Sequence, residues 1–197
     1  MDVKVDGVSG LVWKREPEDA LDALALISEE LRERGRAMVS ISDPEGTADE
    51  LAGKTLGGIH ELTVASRPIA ELVAESLDEL EQVLPELPQA CRRLAEIFQS
   101  DDPDAGYEPF QQLAEIWRVI KERELQVLSA LGLDADSLVM SGTPLIDAHE
   151  ELNRFVEEAA GALESRDCVL LGDLLEYELA PRAEAEAEIV ALLREKA

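Results

Sequence analysis

Residues 73–98 read VAESLDELEQVLPELPQACRRLAEIF. Val73, Leu77, Leu80, Leu84, Leu87, Cys91, Leu94 and Phe98 recur at spacings of 4, 3, 4, 3, 4, 3 and 4, an unbroken helical seam of the coiled-coil kind. Pro85 and Pro88 fall inside it but off the seam. A proline in a helix interior costs about 3 kcal/mol, yet a loop would scramble the phase and the phase survives. The pattern predicts one long helix from about Pro68 to Ser100, bent at the prolines.

The same periodicity continues downstream. Phe110, Leu113, Trp117, Ile120, Glu124, Val127 and Leu131 form a second seam that stops at Gly132. Thr143-Pro144 is read as an N-cap with proline at the first helical position. Leu145, Ala148, Leu152, Phe155, Ala159 and Leu163 follow. The short link Ser165-Arg166-Asp167 then demands a tight pair of helices. The last helix is apolar at Leu170, Leu171, Leu174, Leu175 and Leu179, turns polar near Pro181 and regains Ile189, Leu192 and Leu193, and its end is expected to be looser and peripheral. No strand is expected after Pro68.

Upstream the period is different. Val3, Val5, Val8, Leu11 and Trp13 alternate around Asp6-Gly7, a pair suited to a tight hairpin turn. Pro17 fits a first helical turn, Leu24, Ile27 and Leu31 recur at helical spacing, and Gly35 stops the helix. Ala37–Ser42 reads as a strand with Val39 and Ile41 on one face. Asp43–Gly46 reads as a turn, Ala48–Leu51 as a short helical link and Gly57-Gly58 as a further turn. Ile59–Ala65 reads as a last strand with Leu62 and Val64 inward. The fold class is therefore α+β: a hairpin, helix, strand, strand module over residues 1–66, then an antiparallel helical bundle over 67–197. The module's element order resembles a β-grasp (ubiquitin-like) arrangement.

Charge locates the function classes to exclude. The 197 residues hold 44 acidic and 18 basic side chains, a net charge of −26, with 46 % hydrophobic and 4 % aromatic residues. Residues 1–66 carry 14 acidic and 7 basic groups, leaving the bundle at −19. Phosphate backbones and anionic membranes are poor partners for such a surface. No 18-residue apolar run and no leader pattern is evident, and two cysteines make no disulfide framework, so a cytoplasmic protein is expected.

Motifs for chemistry are sparse. Neither His60 nor His149 follows a glutamate by three residues, as a carboxylate-bridged metal centre in a bundle would want. Cys91 lies on a seam as a small hydrophobe, and Cys168 opens the fourth helix without a base in view. Phosphate-cradling loops and nucleophile elbows are absent. Accordingly no catalytic, cofactor or metal residues are assigned. Glu124 alone breaks a seam, as a candidate buried polar position with Arg182 or a proton-sharing Glu178 as its partner, although an open, water-facing seam is the preferred expectation.

Arg166–Leu171 followed by Asp173–Pro181 resembles the C-terminal segment of uncharacterised bacterial proteins that share this α+β-then-helices layout, a likeness that brings no activity with it. Within that segment Asp173, Glu176, Tyr177 and Glu178 form a candidate interaction surface, an aromatic in an acidic rim. The expected function is that of a non-catalytic interaction protein, an adaptor or accessory factor. Its partner would be a basic or helical protein, or a further copy of the chain. Two alternatives are an acidic mimic of nucleic acid, and a metal-binding bundle using Glu124, His149 and Glu178.

Overall fold

The computed structural model describes residues 2–9, 13–42, 61–140 and 142–197. They form two compact units, Met1–Leu72 and Val73–Ala197. Leu11, Asp43–Gly46, Ala48–Leu51, Gly57-Gly58, Ile59 and His60 lie outside the described residues.

In the first unit β1 (Asp2–Val5) turns into β2 (Val8–Ser9) through Asp6 at φ 50° and Gly7 at φ 80°. Both central residues are left-handed, as a two-residue hairpin turn of the favoured hand requires. Helix α1 (Ala20–Glu33) follows, then β3 (Arg36–Ser42) and β4 (Glu61–Pro68). The sheet order is β2-β1-β4-β3, with β1 parallel to β4 and the outer pairs antiparallel. Parallel neighbours need a crossover, and here it includes α1. Ala20, Ile27 and Leu31 of α1 meet Val3, Leu62 and Val64 of the sheet in an apolar cluster.

Two expectations for this unit need correction. Pro17 does not start the helix. Asp19 does, its carboxylate accepting from Asp22 N at 2.9 Å, because a side-chain acceptor satisfies a first-turn N–H that proline cannot. Val39 does not face the core. A bulge between Met38 and Ser40 shifts the alternation, so Met38 and Ile41 pack inward while Val39 is exposed.

The second unit is helical. The predicted single helix is instead α2 (Ile69–Val83), a 3-10 turn over Leu84–Glu86, and α3 (Leu87–Phe98). Pro85 and Pro88 lack the N–H groups that would continue i→i−4 bonding, and one tighter turn absorbs the loss. The phase is kept: all eight seam residues from Val73 to Phe98 are buried. A 3-10 turn at Pro103–Gly106 leads into α4 (Tyr107–Leu131). Gly106 is required there, because a Cβ would stand 2.7 Å from Cζ of Phe98. Phe98 itself packs edge-on against Tyr107 and Phe110.

Strands do reappear beyond Pro68. Val139–Met140 (β5) pairs antiparallel with Thr143–Pro144 (β6), so Thr143 is a ladder residue, and Pro144 occupies the cap position of α5 (Leu145–Ser165). Arg166 then adopts a left-handed φ of 57°, and Asp167 caps α6 (Cys168–Asp173) by accepting from Leu170 N. The rod continues through a π-helical turn, Leu174–Leu179, into α7 (Ala180–Lys196). Pro181 has no N–H for the carbonyl four residues back, and the backbone widens to i→i−5 bonding just before it. Ala180 N accordingly reaches Leu175 O, and the Arg182 guanidinium donates to Glu178 O at 2.7 Å.

The expected looseness of the last helix is not found. Ala180, Ala183, Glu186, Ile189, Val190 and Leu193 are buried, and α7 packs on α3. Its alanines, weak as a hydrophobic signal, let the backbones approach closely.

Candidate functional site

Within the bundle four ionisable side chains converge. Glu124 on α4 is fully buried, contrary to the water-facing expectation, and Glu186 on α7 is 3 % exposed. Lys121, one turn before Glu124, lies between them. Its Nζ donates to Glu124 Oε2 at 3.0 Å and to both carboxylate oxygens of Glu186 at 2.6 Å. His149 of α5 also reaches the cluster, with Nε2 3.2 Å from Glu124 Oε2 but without hydrogen-bond geometry. The Lys121 ammonium also stands 5.9 Å from the centroid of the buried Trp117 ring.

The charge balance explains the arrangement. Two carboxylates and one ammonium leave an excess negative charge in a site with little water, where isolated charge is costly. Burial, followed by the Glu124 charge, pushes the Glu186 carboxyl up to about 8, toward its protonated form. Burial and then the Lys121 charge bring His149 down to about 4, keeping the imidazole neutral. Elsewhere in the unit burial drives the Cys91 thiol up to about 12, consistent with a packing role.

The partners foreseen for Glu124 are placed elsewhere. Arg182 bonds Glu178 Oε2 at 2.8 Å, meets Glu151 at 3.1 Å and stacks 4.1 Å over the Phe155 ring. The second carboxylate near Glu124 is Glu186, joined to it through Lys121, and not Glu178. Lys121 and Glu186 were missed. The 3-3-3-4 recurrence from Ala180 to Ile189 and Leu193 was the available signal, hidden among alternating alanines and glutamates. Among the described residues no three His, Cys, Asp or Glu side chains are placed to hold a metal ion. The Lys121 ammonium fills the position between the carboxylates.

The candidate interaction surface lies on the π-helical turn. Tyr177 is 64 % exposed, Asp173 is exposed, and Glu176 and Glu178 are half-buried. Val169, 70 % exposed, and Leu170 extend it along α6. Val169, Asp173 and Tyr177 follow one another at intervals of four and line one ridge.

Residues 75–188, more than half the chain, match the family described as Domain of unknown function (DUF8042), and the chain belongs to that family. The match spans the whole buried cluster and the Tyr177 ridge. No match was found among curated proteins or among solved structures. No helix among the described residues is long and apolar enough to cross a membrane.

Proposed function

We propose that this chain is a non-catalytic interaction protein, an adaptor or accessory factor of the cytoplasm, whose acidic bundle meets a basic protein partner. The observation that carries the reading is the exposed ridge that runs from Val169 and Asp173 on α6 to Tyr177 on the widened turn that follows. Aromatic side chains at such positions anchor interfaces, and π-helical turns recur at functional sites. Glu178 is occupied by Arg182, so the acidic edge of the ridge reduces to Asp173 and Glu176. The buried cluster supports the same reading from the other side. Its carboxylates already hold Lys121, and a catalytic acid or base needs reach to a substrate proton.

The test is photo-crosslinking in the source cell, with benzoylphenylalanine replacing Tyr177 and the captured peptides sequenced by mass spectrometry. The expected result is a crosslink to a Lys/Arg-rich surface of another protein that disappears when Asp173→Lys and Glu176→Lys are added. Crosslinks that ignore charge reversal, or that join only copies of this chain, overturn the proposal.

A further inference from the structure

A second face of the bundle is unpartnered and has a different shape. Leu80 and Val83 of α2, with Ile116, Val119 and Ile120 of α4, line an apolar groove of about 260 Å³. Val83 is 45 % exposed, Ile116 41 % and Val119 39 %, while Leu80 and Ile120 form a buried floor. Arg123 of α4 reaches across to Glu79 of α2 at 2.7 Å.

What would fill this groove follows from its size and charge. Its volume lies near the lower end of small-molecule pockets, and its rims are exposed apolar side chains on two helices, a shape that accepts inserted side chains. Two helical walls with an apolar floor are the setting in which an amphipathic helix lays down its apolar face. The α2 wall carries Glu71, Glu75, Asp78, Glu79 and Glu81, of which Glu71 pairs with Arg67, Glu79 with Arg123, and Asp78 and Glu81 with Arg194, so the pull on a cationic partner comes from the excess charge of the unit around the groove. Residues 73–197 as a whole hold 29 acidic and 10 basic groups, a net of −19. A further copy of the chain would bring another −26 against this surface, whereas a cationic helix is drawn to it.

We propose that the α2–α4 groove receives an amphipathic helix of a partner protein, with apolar residues at i, i+3 or i+4, and i+7, flanked by Lys and Arg. The inference rests on the interaction reading above but on a separate face. Complementary charge sets encounter and orientation, and insertion of the apolar row between Val83 and Ile116 sets specificity.

The experiment uses the full chain and three fluorescein-labelled 18-residue peptides. One is a designed helix with a Leu/Ile face flanked by Lys and Arg, one a scrambled peptide of identical composition, and one the same helix with Glu in place of the basic residues. Fluorescence anisotropy at physiological salt is expected to show the basic amphipathic peptide binding at least about tenfold more tightly than either control. Ile116→Asp and Val119→Asp are each expected to erase that preference by about the same factor. Both positions are surface-exposed, and an unchanged circular dichroism melt confirms that the fold is intact. Tyr177→Ala is expected to leave peptide binding unaltered, which separates failure of this proposal from failure of the ridge. Equal binding of the scrambled peptide, binding indifferent to the groove substitutions, or no binding overturns the proposal. So does sedimentation of a wild-type dimer that Ile116→Asp dissociates, since the occupant would then be a second copy.

Discussion

The first unit and the bundle each pack helices against something, and they do so with different chemistry. Among the described residues the buried side chains of the first unit are Val3, Ala20, Ala23, Ile27, Leu31, Leu62, Val64 and Ser66, none of them ionisable. The charged network of that unit is peripheral. Asp6 accepts from Ser66 N at 2.7 Å and Ser66 Oγ at 2.6 Å, with Arg36 alongside, and these bonds, the Ser66 hydroxyl foremost, hold its carboxyl below the ordinary range. The bundle instead buries Glu124, Glu186 and His149 around Lys121. The contrast teaches where pH acts. An apolar interior is indifferent to protons, whereas an interior that holds a carboxyl neutral gains or loses stability as that proton moves.

The strongest way to break this comparison is Lys121→Met, which keeps the volume and removes the cation. The buried Glu124–Glu186 pair then lacks its counter-charge, and a loss of about 3–5 kcal/mol at pH 7 is expected for the bundle. Hydrogen exchange resolved by segment reads the effect in α4 and α7 while leaving α1 unchanged. On the other side, Ile27→Ala empties a fully buried site in the first unit. It should cost about 2–5 kcal/mol there, by the same amount at pH 5 and pH 9, because no titrating group is touched.

Glu186→Gln sharpens the comparison by direction. The folded carboxyl titrates near 8 and the unfolded one near its ordinary 4.5, so the native state holds the extra proton between those values. The native advantage is complete below pH 4.5 and is lost as pH rises toward 8. Denaturant unfolding of the wild type should therefore weaken across that window. The variant should lack this slope and gain stability relative to wild type as pH rises from 5 to 9. His149 acts oppositely, since its folded value near 4 lies below the ordinary 6.5 and stability is lost as pH falls through that interval. The smallest effect belongs to Val39→Thr. At an exposed bulge a thermal-melt change equivalent to less than about 0.5 kcal/mol is expected, where an inward-facing valine would have cost more.

Element types and most helix faces were legible because apolar spacing is a direct record of what each face touches. The seam from Val73 to Phe98 gave its burial pattern correctly, and Asp6-Gly7 its turn. What failed was decided by backbone detail. The bulge that turns Val39 outward leaves no mark in an alternating strand. The 3-10 turn at Pro85 and the π-helical turn before Pro181 change hydrogen-bond spacing without disturbing the leucines around them. Of the charge cluster Glu124 was visible because it interrupts a hydrophobic row, and His149 was grouped with it only as a candidate metal ligand. Glu186 sits in a helix whose other inward residues include alanines, so the row itself was faint, and Lys121 looks like any surface lysine until its partners are placed.

The widened turn at Leu174–Leu179 has a consequence for how this rod tolerates change in length. A π-helical turn contains one residue more than α-helical winding needs over the same rise. Dropping a single residue there lets the backbone rewind to ordinary pitch while Leu171 above and Ala183 and Glu186 below keep their sides. In uninterrupted α-helix the same deletion swings everything beyond it by about 100°. The C-terminal rod thus carries slack at one place, beside the ridge that it displays.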